Sequence, residues 1–191
     1  MAEASGGVFR TSDLKALGYN TYAIRKLVNE KVIERVKSGY YRLSESSQRL
    51  SEAAQIAQLF PDGVLCMYTA LFYYRYSDRT PLEWNVAVDR DTSKSRFNLD
   101  YPFVQPYYMK KELLSFGITT ADYGDYTMQI FDRDRLICEC IFYENKMDRE
   151  TYNKAIQGYV ADAKKNVPKL LEYAEKRRVL KKVKDRIGVW L

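Results

Sequence analysis

The chain has 191 residues, a length that suits one large domain or two small ones. Hydrophobic residues make up 46% of it and charged residues 29%, a balance that supports a folded core and argues against disorder throughout. The sequence has no run of 18 apolar residues, and its first ten residues lack the pattern of a secretory signal. We therefore expect a cytoplasmic protein without a membrane span.

The formal net charge of +6 is unevenly distributed along the chain. Residues 1–44 carry a net +4, residues 45–160 carry −4, and residues 161–191 carry +6. Two basic ends around a mildly acidic middle favour a polyanionic partner, and nucleic acid is the first candidate.

The residue types argue against most catalytic and metal sites. Histidine is absent, which removes the commonest general base and the commonest metal ligand. The three cysteines, Cys66, Cys138 and Cys140, form no CxxC pair, so neither a disulfide framework nor a zinc site is indicated. We expect them to be small buried apolar side chains. The sequence thus predicts no cofactor, no metal and no catalytic residues.

Two pairs of closely spaced carboxylates keep an enzymatic alternative open. Asp89 with Asp91, and Asp132 with Asp134, could hold Mg²⁺ in a phosphoryl-transfer enzyme. Both pairs alternate with arginines, which suits neutralised ion pairs better than a metal site. The chain also has no glycine-rich phosphate loop to accompany them. We therefore keep this alternative as the weaker one.

The first elements in chain order are two short helices. Thr11 to Asp13 offers N-caps for the first helix, and Gly18 ends it. Asn20 or Thr21 caps the second helix, whose apolar residues recur at helical spacing on one face. These apolar positions are Ala23, Ile24, Leu27 and Val28.

A β-hairpin is predicted directly after the second helix. Val32 to Val36 forms the outgoing strand, Lys37 to Gly39 the turn, and Tyr40 to Leu43 the returning strand. The order of short helix, glycine turn, second helix and hairpin is that of a winged helix-turn-helix with the hairpin as its wing.

A winged helix-turn-helix reads DNA by placing polar side chains of its second helix in the major groove. The start and exposed flank of that helix supply such donors, and we expect Arg25 to contact a base. The first helix offers free backbone N–H groups for a phosphate, and Lys37 in the wing is expected to contact another. The predicted DNA-binding residues are Arg10, Thr11, Ser12, Asn20, Thr21, Tyr22, Arg25, Lys26, Arg35, Lys37 and Ser38. The alternative is a protein-interaction module, or a stand-alone winged-helix regulator, since winged helices also bind proteins.

The rest of the chain predicts a second domain. The polar connector Ser44 to Ser51 is the candidate boundary, which gives a DNA-binding domain over residues 1–44 and a second domain over residues 45–191. After a helix over Glu52–Leu59, strands are predicted at Val64–Cys66, Trp84–Val88, Phe103–Tyr108 and Tyr126–Phe131. Helices are predicted over Asp132–Ile141, from Asp148, from Asn166, and over a basic segment from Arg178 towards Ile187. The fold class is therefore α+β, an N-terminal winged helix-turn-helix followed by a mixed α+β C-terminal domain ending in helices.

The N-terminal segment GGVFRTSDLKALGYNTYAIRKLVNEKVIERVKSGYYRL resembles the winged helix of the AbiEi antitoxin family. The family's characteristic positions are occupied by Phe9, Thr11, Leu14, Gly18, Leu27, Val36, Gly39 and Tyr41. Further along, VLCMYTAL at 64–71 looks like the family's strand followed by an "sAL" helix start. DRDRLICECI at 132–141 is similar to its "xxRTLhDhh" helix, in which h is an apolar residue, although Leu136 stands in place of the family's Thr.

The resemblance implies a function as well as a fold. AbiEi proteins are antitoxins of type IV toxin–antitoxin systems in bacterial abortive infection by phage. Their winged helix represses the promoter of the operon that encodes both proteins, so the implied partner is double-stranded DNA. Their C-terminal domain counters a nucleotidyltransferase-like toxin without a stable complex between the two proteins.

Overall fold

The structure is a computed structural model that describes residues 8–44 and 51–190. These residues form two compact units. The first contains the N-terminal segment up to Pro61 together with Ser93–Phe103, and the second contains Asp62–Thr92 and Val104 onwards. Most of the predicted domain boundary, residues 45–50, lies outside the described residues, so the functional division at residue 44 stays a prediction.

The first unit begins with three strands and two helices in the order of a winged helix-turn-helix. Their bounds are β1 Val8–Arg10, α1 Thr11–Ala16, α2 Thr21–Asn29, β2 Ile33–Lys37 and β3 Tyr40–Leu43. The strands form one antiparallel sheet in the order β1-β3-β2, so the short first strand pairs with the returning strand of the wing. The predicted winged helix-turn-helix is confirmed.

The core of this small domain lies between the helices and the sheet. Leu14 of α1, Ile24 of α2 and Ile33 of β2 are buried together. Half-buried side chains pack around these three, namely Phe9, Leu27, Val28 and Tyr41. The apolar stripe predicted along α2 is therefore the side of that helix that faces the core.

The start of α1 differs from the sequence prediction. The helix begins at Thr11, so Arg10 is the N-cap and Thr11–Asp13 form the first turn. The Asp13 carboxylate accepts a hydrogen bond from the backbone N–H of Arg10 at 2.7 Å. An acidic side chain at this position suits the positive end of the helix dipole. The prediction of an N-cap within Thr11–Asp13 was therefore wrong, because the N-cap is the preceding residue, Arg10.

The first unit also contains a helix and a short 3₁₀ segment from beyond the wing. Helix α3 spans Glu52–Leu59 as predicted, and the 3₁₀ segment spans Lys94–Phe97. The rings of Phe60 and Phe97 stack with centroids 5.2 Å apart. The Arg96 guanidinium donates to the Leu59 carbonyl at 3.2 Å, which ties the two segments together.

The second unit is built on a mixed sheet of five strands in the order β6-β5-β4-β8-β7. Strands β5 and β6 are parallel to each other, as are β4 and β8, whereas the β4–β5 and β7–β8 pairs are antiparallel. The bounds are β4 Val64–Leu65, β5 Trp84–Asp89, β6 Val104–Met109, β7 Ile118–Tyr123 and β8 Tyr126–Phe131.

The described residues of the second unit also form five α-helices: α4 Met67–Tyr73, α5 Arg133–Phe142, α6 Arg149–Ala161, α7 Val167–Arg177 and α8 Leu180–Ile187. Helix α5 is central, because it packs against α4, α6, α7 and α8. The side chains of Asp132, Asp148 and Asn166 cap α5, α6 and α7, each accepting a backbone N–H three residues ahead. The α+β class ending in helices is confirmed.

Helix α5 buries charge as well as apolar residues. The predicted apolar residues of its face are fully buried, but so are Arg135 and Glu139. Nη2 of Arg135 lies 2.6 Å from Oε1 of Glu139, and Nε of Arg177 donates to that same oxygen at 2.8 Å. The Arg135 guanidinium also lies over the rings of Phe116 and Phe131, at 4.1 and 4.8 Å from their centroids. Two cations thus share one carboxylate inside the second unit.

Candidate nucleic-acid interface

Helix α2 is positioned by its two ends and by its apolar stripe. Gly18 takes a positive φ of 91° directly after α1, a conformation that a residue with a side chain rarely adopts. Oδ1 of Asn20 then accepts a hydrogen bond from the Ala23 N–H at 2.9 Å and caps α2. Of the two predicted caps, Asn20 is therefore the one used. With Ile24 buried below, the opposite side of α2 is turned outward.

We call the outward side of α2 the recognition face, which consists of Thr21, Tyr22, Arg25, Lys26 and Asn29, all of them exposed or partly exposed. The spacing of three and four residues between positions 22, 25, 26 and 29 places these four side chains on one side of a helix. Tyr22 has 78% of its surface exposed. The face carries amide, hydroxyl and cationic groups and no carboxylate, which suits an anionic partner.

The two cations of the recognition face differ in their partners. Lys26 lies 3.8 Å from Glu30 one turn further along, and both side chains are more than half exposed. Such an exposed pair contributes little stability and is easily exchanged for a phosphate. Arg25 has no ion pair with any residue within 8–44 or 51–190. Its guanidinium is therefore available for an external acceptor.

The start of α1 offers less to a phosphate than the sequence indicated. The Arg10 N–H is bound to the Asp13 carboxylate, and the Thr11 N–H donates to the Gly39 carbonyl at 2.8 Å. The expectation of free backbone donors at these two residues was therefore wrong. The Ser12 hydroxyl also hydrogen-bonds to Asp13, at 3.3 Å. The groups that remain there are side chains: the hydroxyls of Thr11 and Ser12 and the exposed Arg10, whose guanidinium lies 5.7 Å from the Tyr40 ring centroid.

Lys37 in the wing is the clearest correction. We expected its ammonium to face outward, but only 6% of Lys37 is exposed. Its Nζ donates to the Leu59 carbonyl at 3.4 Å and lies over the rings of Tyr40 and Phe60, 4.5 and 4.7 Å from their centroids. Lys37 belongs to strand β2 and not to the turn, and its side chain packs inside the first unit. It is thus an internal cation and not a surface contact.

Of the predicted wing contacts, Arg35 and Ser38 are exposed, as is Glu34, which forms an ion pair with Arg42 at 2.7 Å. Nε of Arg35 is 3.4 Å from the Lys37 carbonyl, a contact that leaves most of its guanidinium in solvent. Arg35 and Ser38 remain where the sequence placed them, on the hairpin that follows the recognition helix. Asn29 was not among the predicted contacts, although its position four residues after Arg25 was a sufficient signal.

The carboxylate pair in helix α5 serves structure in the second unit. Asp132 accepts hydrogen bonds from the Arg135 N–H at 2.8 Å and the Tyr173 hydroxyl at 3.3 Å. Asp134 accepts from the Tyr159 hydroxyl and the Asn166 N–H, both at 2.8 Å. Burial raises the pKa of Asp134 although these donors act in the opposite direction. Both oxygens of Asp132 and Oδ1 of Asp134 thus accept hydrogen bonds from the protein itself, which supports a structural role for this pair.

The cysteines behave as predicted. All three are free and buried, and burial raises the pKa of each thiol. Within the described ranges 8–44 and 51–190, no three acidic or cysteine side chains come together as potential metal ligands. None of the helices described is both long and apolar enough to cross a bilayer.

The comparison with known families bears on the segment that carries the recognition face. The family model described as "Transcriptional regulator, AbiEi antitoxin" matches residues 1–44. The matched part is about a quarter of the chain, so the likeness to the AbiEi antitoxin family is shown for this N-terminal segment. The match confirms the resemblance noted in the sequence over residues 1–44, which we call the AbiEi segment. The likeness of the motifs at 64–71 and 132–141 to the family stays a prediction. No curated protein matches the chain.

The AbiEi match supplies the coarse function. The description of the matched family is that of a transcriptional regulator and antitoxin, a role associated with abortive infection. The family is one of regulators and not of enzymes. The segment that matches holds every residue of the recognition face and the wing.

Proposed function

We propose that this chain is a DNA-binding autorepressor and the antitoxin of an AbiE-type, type IV toxin–antitoxin system. In this proposal its N-terminal domain, residues 1–44, binds the promoter of its own operon. Residues 45–191 form the antitoxin domain that counters a nucleotidyltransferase-like toxin during phage infection. The observation that carries the proposal is the recognition face of α2, an outward, carboxylate-free surface on a helix within the AbiEi segment.

The recognition face is proposed to enter the major groove. There Arg25 donates to a base edge, and Thr21, Tyr22 and Lys26 contact neighbouring bases or phosphates, with Asn20 at the helix start. The side chains proposed to hold the DNA backbone around α2 are Arg10, Thr11, Ser12, Arg35 and Ser38. Lys37 is left out of this set because its ammonium is packed inside the first unit.

The DNA-binding part is tested by fluorescence anisotropy with a labelled duplex from the region upstream of the gene. Arg25→Ala is expected to weaken binding by about 5- to 150-fold, corresponding to the loss of about 1–3 kcal/mol for a base contact. Arg149→Ala is the matched control, since it removes an exposed arginine from the second unit, and it is expected to change affinity less than twofold. Absence of binding at low salt, or equal losses in both variants, would refute a role for α2 in reading DNA.

The antitoxin part is proposed to act in the cytoplasm, without catalysis by this chain and without a stable complex with the toxin. Support comes from the AbiEi match, because that family is one of regulators and not of enzymes. If the two proteins meet only transiently, the toxin will not co-purify with this chain. Rescue of growth is therefore the primary assay, and co-purification is the secondary one.

The two parts are separable in living cells. With the toxin of the operon co-expressed, both the natural chain and Arg25→Ala are expected to restore growth, whereas only the natural chain represses a promoter–reporter fusion. Failure of the natural chain to restore growth would contradict the antitoxin assignment. Loss of both functions in Arg25→Ala, with the protein still folded, would contradict their separation.

A further inference from the structure

A pocket opens in the second unit at the carboxyl ends of the parallel strands β5 and β6. These strands end at Asp89 and Met109, and the segments that follow them line the pocket together with the end of helix α7. The volume is about 600 Å³, within the usual range of small-molecule sites. Carboxyl ends of parallel strands are a frequent place for ligands, because the loops that leave them are free to carry binding groups.

The lining of this pocket is rich in cations. Three separate stretches of chain contribute Arg90, Lys110, Lys111, Lys176, Arg177 and Arg178, against three carboxylates. Asp89 accepts from the Asp91 N–H at 2.9 Å, and Asp91 lies 3.8 Å from Arg90. Among the cations, Lys176 pairs with Glu172 at 2.7 Å. The pocket lining therefore carries more positive than negative charge.

Arg177 is held rigidly in this lining. Only 8% of its side chain is exposed, its Nε is bound to Glu139, and its guanidinium lies 3.4 Å from the Phe142 ring centroid. Because these buried groups already engage its guanidinium, Arg177 contributes a fixed positive charge to the lining.

The cluster that includes Arg177 carries a net positive charge. Glu139 is shared by Arg177 and the fully buried Arg135. Among the described residues, the Nε and Nη1 atoms of Arg135 have no hydrogen-bond partner, and neither does Oε2 of Glu139. Burial lowers the pKa of Arg135, and the nearby charge of Arg177 lowers it further. An anion in the pocket would reduce this excess of buried positive charge.

We propose that the pocket binds the phosphate chain of a small ligand, a pyrophosphate or the polyphosphate of a nucleotide. Cations from three stretches of chain fit several linked phosphate groups better than one. The concave shape suits a small molecule. Every lining residue belongs to the second unit, so the proposal does not depend on the proposed DNA binding by α2. The exposed Lys110 and Lys111, which we call the rim lysines, supply ammonium groups that can contact the phosphates, and Arg177 adds a fixed positive charge.

The test is isothermal titration calorimetry of the full chain with pyrophosphate at constant ionic strength. Replacing both rim lysines (Lys110→Gln with Lys111→Gln) is expected to weaken binding at least tenfold. The matched control, Lys181→Gln with Lys184→Gln, removes two exposed lysines from α8 and is expected to change affinity less than twofold. Thermal unfolding of each variant checks its fold, and Lys111→Gln alone replaces the double variant if that one is destabilised.

Further titrations identify the source of the phosphate chain. Tighter binding of ATP than of pyrophosphate supports a nucleotide, and equal binding supports pyrophosphate itself. No binding of either compound at millimolar concentration would overturn the proposal, as would binding that the rim-lysine variant leaves unchanged. The anisotropy assay with promoter DNA is run on the same variant, so that a failure of this site is distinguished from a failure of DNA binding.

Discussion

Gly117 lies where no side chain fits, and its replacement tests how tightly the buried Arg135 is packed. A Cβ atom at Gly117 would lie 2.6 Å from Cβ and 2.9 Å from Cγ of Arg135. The φ angle of Gly117 is +65°, which strains any other residue. The Gly117 carbonyl also accepts the Asp132 N–H at 2.8 Å, so its backbone is not free to move away.

The cost of Gly117→Ala has two parts. The left-handed conformation costs about 1 kcal/mol, and forcing a methyl group into packed surroundings costs about 1–3 kcal/mol. We expect the free energy of unfolding to fall by about 2–4 kcal/mol in total. Gly124→Ala is the matched control, because Gly124 has the same φ of +65° and a Cβ atom added there would meet no atom within 4 Å. It should lose only the conformational part.

Urea unfolding followed by circular dichroism measures both variants against the natural chain. The reasoning predicts that Gly117→Ala is less stable than Gly124→Ala by about 1–3 kcal/mol. Equal losses in the two variants would show that Arg135 yields to the added methyl group without cost. The tight packing inferred around the buried cations would then be refuted.

Three further predictions concern the ends of helices and the buried lysine. Asn20→Ala removes the cap of α2, so the free energy of opening of the α2 backbone amides, measured by hydrogen exchange, should fall by about 1 kcal/mol. Asn29→Ala, on the same helix, should leave that free energy nearly unchanged. Lys37→Ala should lower the urea midpoint of unfolding and leave the salt dependence of DNA binding unchanged. Arg35→Ala should leave the urea midpoint unchanged and reduce the salt dependence of DNA binding. A reduced salt dependence in Lys37→Ala would show that Lys37 contacts a phosphate after all. Hydrogen bonds from Arg186 and Lys182 hold the pKa of Glu144 below its ordinary value of 4.5. The stabilisation that this ionised group adds is therefore complete above pH 4.5 and is lost as the pH falls through the lower, folded-state pKa. Glu144→Gln should be less stable than the natural chain at about pH 7, and a stability difference that persists undiminished in strong acid would contradict this.

The elements with strong local signals were predictable from the sequence. Helix α2 combines a capping asparagine with apolar residues at helical spacing, and both signals lie within the helix itself. Helix α3 and strand β8 were predicted with their observed bounds for the same reason. Strand β1 was missed because its three residues are too few to show an alternating pattern. Strand β7 was missed because its sequence, ITTADY, is largely polar and half exposed.

The placement of buried charges could not be read from local patterns. Lys37 is buried because Leu59 and Phe60 fold against it from more than twenty positions along the chain. In α5 the sequence shows the apolar face, but Arg135 and Glu139 are buried by the helices that surround it. The recognition face was predictable because exposure follows directly from helical periodicity once the core side is known. Most other contacts of the site depend on tertiary packing.

The central claim is that the outward side of α2 meets duplex DNA, and photo-crosslinking tests it most directly. A benzophenone side chain at Tyr22, which is 78% exposed on the recognition face, is compared with one at Phe72, which is 41% exposed in the second unit. With a duplex from upstream of the gene, the account predicts a crosslink from position 22 and none from position 72. Bound DNA that crosslinks from position 72 but not from position 22 would contradict it.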